Sequence, residues 1–370
     1  MMANDMRHTL ILASFLLGGI LRAETTPANA LLVLSKGDHT LSIVDPVSLK
    51  VVAAMPSGPD PHEVIATDDG KLAYISNYGG GAYHTLTVVD LVSQKTVGTI
   101  DLGALNGPHG LEYAGGKVYF TAEAAKVIGT YDPAAQKIDW VMGTGQDRTH
   151  MVWVSADLKT IITSNVSSAT MTVIEKVTRR QGPPPGGPPP MEQMGTDSSV
   201  HAPKTGLGQR SPSPTERMDW EETVIGVGRG AEGFDVSPDG KELWAANAQD
   251  GTVSIVDVAG KKVVDTLAAD VRSANRLKFT LDGKRVLVST LGGPELAIFD
   301  VATRKTVKRL TIGRGAAGIQ MAPDGKVAYV ACTPDSYVAI VDLSSLEVTG
   351  HIQAGKEPDG LAWLGARGGR

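Results

Sequence analysis

Three histidines open apolar runs at the same kind of place along this 370-residue chain: Pro61-His62-Glu63, Pro108-His109-Gly110 and Thr149-His150-Met151. Imidazole is the commonest protein ligand for zinc, copper, nickel and non-haem iron. Three protein ligands with one position left open mark a catalytic metal, whereas four closed ligands mark a structural one. Glu232, in Ala231-Glu232-Gly233, opens the next comparable run. It is read as a fourth ligand, or as a base beside a bound water. Glu123 is the second choice for acid or base work. Two plainer readings stand beside this one. The histidines line a metal-free polar pocket, or they only bond loop carbonyls in a wet channel.

The elements that must position these residues recur along the chain. An acid closes an apolar run at Asp45, Asp90, Asp132, Glu175, Asp257, Asp300 and Asp342, in steps of 45, 42, 43, 82, 43 and 42 residues. A repeat of this length built from short strands means a β-propeller or a related array. Each full copy has four strands, named A to D from the axis outward. In the second copy they are 63–67, 72–76, 85–89 and 96–100. Asp69-Gly70, Asp239-Gly240, Asp282-Gly283 and Asp324-Gly325 mark hairpin turns between A and B, where Gly accepts positive φ. The first copy lacks strand A, and residues 360–364 form an orphan strand A at the other end. Joining them closes a ring and removes free edges. The expected fold is all-β, a seven-bladed propeller of four antiparallel strands per blade; six blades plus a stray hairpin is the alternative.

In register, the residues opening strand A are His62, His109, His150, Glu232, Asn275, Ala317 and Asp359. Strand A lines the axis of such a ring, so these residues line one mouth of its channel. Adjacent blades bring His62, His109 and His150 within reach of one ion. Arg148, Arg229, Arg276 and Arg314 lie at or near the same openings. With Asn275 and Asp359 they are read as contacts for a substrate carboxylate or phosphate, though each arginine alone also reads as a rim charge. The chain has eight histidines. His39 and His84 read as turn residues, His84 also as a support behind the site, and His201 and His351 as solvated. Strand B is read as ending at Asn77, Glu123, Asn165, Asn247, Thr290 and Cys332 in the six blades after the first. Cys332 is the only cysteine and reads as a buried, inert thiol.

Net charge is −5 and the pI about 5.9, which leaves no electrostatic footprint for nucleic acid. A single cysteine excludes an intrachain disulfide. Residues 1–23 read as a secretory signal, with Arg7 and His8 ahead of an apolar run over 10–21 and cleavage after Ala23. A membrane anchor is the rival, but twelve apolar residues are too few to span a bilayer. The expected location is periplasmic or secreted, and residues 24–370 form the propeller. A Pro-rich insert over 179–218 lies between strands C and D of the fourth blade and explains the 82-residue step. It reads as a solvent loop, or else as a docking segment or flap. A flap is disfavoured because C–D connections emerge opposite the histidine mouth. There is no Gly-rich phosphate loop, nucleophile elbow or cysteine pair.

Tyr74-Ile75-Ser76-Asn77 and Tyr329-Val330-Ala331-Cys332 resemble the Tyr-Val-x-Asn element of YVTN-repeat propellers. Ser42-Ile43-Val44-Asp45 and Ser254-Ile255-Val256-Asp257 match that family's strand C. The resemblance covers residues 31–364 except the insert. It implies the seven-bladed fold and little about function, because such relatives include surface-layer-type proteins, lactonase-like enzymes and proteins of unknown role. Two functions are expected from the residues. One is an exported, monomeric enzyme using zinc, copper or iron on a small polar or anionic substrate. The other is a non-catalytic binding or scaffold propeller with a protein partner.

Overall fold

The computed structural model describes residues 25–181 and 215–365. The expected signal segment and the Pro-rich tip lie outside them. Among the described residues are 28 strands, from β1 (Ala30–Ser35) to β28 (Pro358–Leu364), and a single 3-10 turn at Gly79–Gly81. No helix among them is long and apolar enough to cross a membrane. The strands form seven antiparallel four-stranded sheets. The innermost strands are β28, β4 (Pro61–Ala66), β8 (Pro108–Ala114), β12 (Thr149–Val154), β16 (Ala231–Val236), β20 (Ala274–Phe279) and β24 (Ala316–Met321). Each touches the next, and β24 touches β28, which touches β4, so the ring is complete. The first blade is closed as expected: β28 pairs with β1 from Ala30↔Leu364 to Ser35↔Pro358.

Alternation explains the core. Successive side chains of a strand point to opposite faces, so one strand feeds the packing on both sides of its blade. In β1, Leu32 and Leu34 pack toward the second blade, whereas Leu31 and Val33 pack toward the seventh. Small residues set the fit near the axis. A Cβ added to Gly110 would stand 2.5 Å from the His150 carbonyl oxygen, so only glycine permits that approach.

The fourth blade departs from the repeat. Its outer strands, β14 (Thr170–Gln181) and β15 (Thr215–Gly226), are twelve residues each and pair throughout, from Thr170↔Gly226 to Gln181↔Thr215. Residues 179–181 and 215–218, read from sequence as insert, therefore belong to this ribbon. Trp220 near its base packs against Trp140 of the third blade at 5.5 Å, with the Lys176 ammonium over its ring.

Closure by β28 is a stability device. Leu361 and Leu364 are buried there, together worth about 3 to 6 kcal/mol of transfer free energy. That is comparable to the whole net stability of many domains, about 5 to 15 kcal/mol. A chain truncated after Glu357 should lose its cooperative thermal transition. A truncated chain that still melts as sharply as the full chain would show that the ring does not depend on this strand.

Candidate functional site

The mouth is assembled from neighbouring backbone positions that recur in every blade. One is the residue just before strand A: Asp60, Gly107, Arg148, Gly230, Ser273, Gly315 and Glu357. All seven have φ between 43° and 78°, a left-handed conformation that only glycine adopts freely. Another is the first residue after strand B: Lys36, Tyr78, Glu123, Val166, Ala248, Leu291 and Thr333. In each blade the N–H of this second position donates to the carbonyl of the first, at 2.8 to 3.1 Å. The strand A positions follow, beginning with the pair at Pro61↔Asn77 and its counterparts.

A bulge then turns the next side chains toward the axis. In the second to seventh blades the pairing slips between the first and fourth residues of strand A, as between Pro61 and Val64. Two residues there oppose one on strand B. In three consecutive blades a strand B hydroxyl fills this bulge. Ser76, Thr121 and Ser164 accept from the N–H of Glu63, Gly110 and Met151. The same hydroxyls donate to the carbonyls of His109, His150 and Glu232 in the next blade, at 2.8, 2.6 and 2.9 Å. Each of these mouth residues is thus anchored by the blade before it.

His62, His109 and His150 come together as the sequence register implies. Ring centroids lie 4.8 Å apart for His62 and His109, and 3.9 Å for His109 and His150. Tyr78 stands edge-on to the first two, at 4.8 and 5.2 Å. His109 and His150 are only 4% and 2% exposed. Glu123 binds His150 Nδ1, while Glu232 Oε1 lies 3.3 Å from Nε2. Tyr78 donates to Glu123 Oε2, and Arg148 Nε lies 3.5 Å from the same oxygen. Arg148 also reaches Glu232 at 3.9 Å. His109, Glu123 and His150 offer ligand atoms all within 4.8 Å of one another. His109 Nδ1, His150 Nε2 and Asn275 Oδ1 are buried without a hydrogen-bond partner. Buried polar atoms are seldom left so; His150 Nε2 still has the Glu232 carboxylate beside it, whereas His109 Nδ1 faces the cluster with an open lone pair or proton, which fits a metal ion.

His62 faces elsewhere. Its Nε2 lies 3.3 Å from Asp60, and its Nδ1 lies 3.4 Å from Lys36 Nζ and 3.9 Å from Asp359. Lys36 is held by Asp359 at 2.9 Å. Below the mouth, Arg276 crosses the channel from the sixth blade to pair with Glu63 of the second. Arg229 and Arg314 are not part of this group; each pairs with an aspartate of its own blade, Asp250 and Asp335. His84 is also outside it, exposed beside Asp101 at 3.6 Å. Cys332 is buried, which pushes its thiol up to about 12.

Protonation follows from these neighbours. Burial pushes His62 down to about 4, with Lys36 adding to the shift against Asp359 and Asp60. Burial, then His150 and His62, hold His109 well below the ordinary imidazole range. Burial opposes a charge on His150 too, but Glu232 and Glu123 outweigh it and raise its pKa. Burial opposes the charge on Glu232, yet His150 and Arg148 bring it down to about 2. Glu123 is lowered likewise, against burial, by His150, Tyr78 and Arg148.

Lys36, Asp60, Glu63 and Tyr78 were not singled out by the sequence reading. Their signal was present one residue beyond the register used. Strand B of the third blade, β9 (Lys117–Ala122), ends at Ala122, not at Glu123. Glu123 therefore aligns with Tyr78 and Lys36, and this second ring of polar positions becomes visible.

No protein-family model matches the chain, and no curated protein matches it. Solved structures do match, and they show the fold. A functionally unknown protein from Desulfotomaculum acetoxidans is 14% identical, over 91% of this chain and 99% of that one, with a TM-score of 0.65. A candidate 6-phosphogluconolactonase from Bacteroides uniformis is 15% identical, over 91% and 99%, with a TM-score of 0.63. The dihydro-heme d1 dehydrogenase NirN is 16% identical, over 94% and 78%, with a TM-score of 0.60. The chain is thus a seven-bladed β-propeller whose structural neighbours include a lactonase-like protein.

Proposed function

We propose that the mouth is a mononuclear transition-metal centre of an exported, monomeric enzyme acting on a small polar molecule. The observation that carries this is the cluster of ligand atoms of His109, Glu123 and His150, all within 4.8 Å of one another, in which His109 Nδ1 is buried without a hydrogen-bond partner. His109 and His150 supply the imidazoles, and Glu232 the carboxylate beside Nε2. Glu123 holds the proton on His150 Nδ1 and so directs Nε2 inward, as outer carboxylates do at many metal centres. A bound ion would supply Lewis acidity or an activated water. Tyr78 and Arg148 fix Glu123. Imidazole and carboxylate donors suit zinc, copper or iron.

A second reading is a non-catalytic binding or scaffold propeller. It is favoured by the depth of His109 and His150 and by the internal pairing of Arg276. An ion there would brace the ring without meeting a substrate, and a partner would dock elsewhere.

Metal analysis of untagged protein tests the site. One equivalent of ion is expected, and His109→Ala or His150→Ala should abolish it. Glu123→Gln should weaken it by about 10- to 100-fold, whereas His62→Ala should retain it. Folded wild-type protein that takes up no zinc, copper or iron would overturn the reading. Retention of a buried ion with no solvent-exchangeable ligand, seen by paramagnetic relaxation of water with Cu(II), would favour the bracing role.

The metal-free protein should respond to pH through the same residues. His62 is depressed to about 4 from an ordinary value of 6.5. The unfolded chain therefore binds more protons between those values, and stability falls as pH drops through this window. His62 alone contributes about 3 kcal/mol to that loss, and His109 acts in the same direction. His150, being raised, does the opposite: its contribution is present below 6.5 and is lost as pH rises through its folded pKa. Urea unfolding from pH 7 to 4 should show the fall, and His62→Gln should flatten it. Stability that rises on acidification through this range would contradict the assigned protonation states.

A further inference from the structure

On the other side of His109, Asp60, His62 and Asp359 repeat the arrangement made by Glu123, His150 and Glu232. Each imidazole has a carboxylate at one nitrogen and a second carboxylate toward the other. Asp60 lies 3.3 Å from His62 Nε2, and Asp359 lies 3.9 Å from Nδ1. A cation already stands between the last two. Lys36 Nζ is 3.4 Å from His62 Nδ1 and 2.9 Å from Asp359. At His150 the corresponding nitrogen faces its carboxylate directly, Glu232 Oε1 at 3.3 Å.

We propose that Asp60, His62 and Asp359 form a second cation subsite, filled in the natural chain by the tethered ammonium of Lys36. The mouth is then a two-cation centre, with one metal ion and one lysine. Chemistry supports the assignment. An ammonium is donor only, so the His62 nitrogen facing it presents a lone pair. Asp60 holds the proton on the other nitrogen. That is the form in which imidazole binds a metal. Asp359 is 7% exposed, and a buried carboxylate stripped of its cation is strongly destabilising. A vacancy at Lys36 therefore leaves an imidazole lone pair and a buried carboxylate facing one space, which a divalent ion fits. Lys36 also occupies the register that carries Tyr78 and Glu123 in the next two blades, so the position admits exchange without change of backbone.

The number of ions per chain rests on the metal reading of His109 and His150; the second subsite itself does not. Zinc chloride titrated into untagged protein, with bound metal counted by native mass spectrometry, tests both separately. Lys36→Met should take up one equivalent more than the wild type. Asp359→Asn on that background should remove the added ion and leave the first. Lys36→Gln retains a hydrogen-bond donor for Asp359, protects folding, and should show the same gain. Wild type binding none and Lys36→Met one would uphold the subsite while overturning the ion at His109 and His150. Folded Lys36→Met and Lys36→Gln proteins that bind no more zinc than the wild type would overturn the subsite, whatever the wild type binds.

Discussion

The mouth of this ring depends on one hydrogen bond made seven times. In every blade the N–H after strand B donates to the carbonyl of a left-handed residue before strand A. One such bond is worth only about 1 kcal/mol net. Its consequence is geometric. It fixes two chain segments against each other where the innermost strand begins, and it does so at the same height in all seven sheets. Side chains at that height then meet their counterparts in the next blade. His62 meets His109, and His109 meets His150, because the backbone beneath them is repeated and not because the imidazoles attract one another.

Charge sets what the mouth can hold. Asp60, Glu63, Glu123, Glu232 and Asp359 face Lys36, Arg148 and Arg276. Five carboxylates against three cations leave the centre short of positive charge, and a protonated His150 offsets only part of it. Buried charge of one sign is costly, so this imbalance favours a divalent cation. It also changes the role of the arginines. Arg276 is buried against Glu63 and is not free to clamp an anionic substrate, which the sequence alone suggested, whereas Arg148 is 43% exposed and holds Glu123 and Glu232 only at 3.5 and 3.9 Å.

The ring and the histidine register were legible in the sequence because both rest on local spacing. Asp-Gly turns and a period near 43 residues locate each strand A, and the residue opening it follows by counting. The sequence register puts Glu123 at the end of strand B, where the second, fourth and fifth blades have Asn, but Ala122 ends that strand and Glu123 follows it. That slip hid its equivalence to Tyr78 and Lys36. Asp60 was missed because it precedes the strand in a loop, where composition alone says little. The pairing of Arg276 with Glu63 joins residues 213 apart in the chain. No periodicity reports a contact made across the axis, so only the folded ring reveals it.

That cross-channel pair explains how the polar mouth is supported from below. Glu63 and Arg276 both occupy the third position of strand A, where four other blades have glycine: Gly110, Gly233, Gly318 and Gly360. A Cβ at any of these glycines would stand 2.1 to 2.5 Å from a carbonyl oxygen of the next blade, so they let neighbouring strands approach, whereas Glu63 and Arg276 meet from nearly opposite blades. Breaking a buried pair of this kind costs about 3 to 5 kcal/mol, so it braces the second blade against the sixth. It also acts on the chemistry above it. The Arg276 charge opposes protonation of both His62 and His109, adding to what burial already does. Neutral imidazole is the form that takes a metal ion. The brace thus serves the site by keeping those two rings in that form.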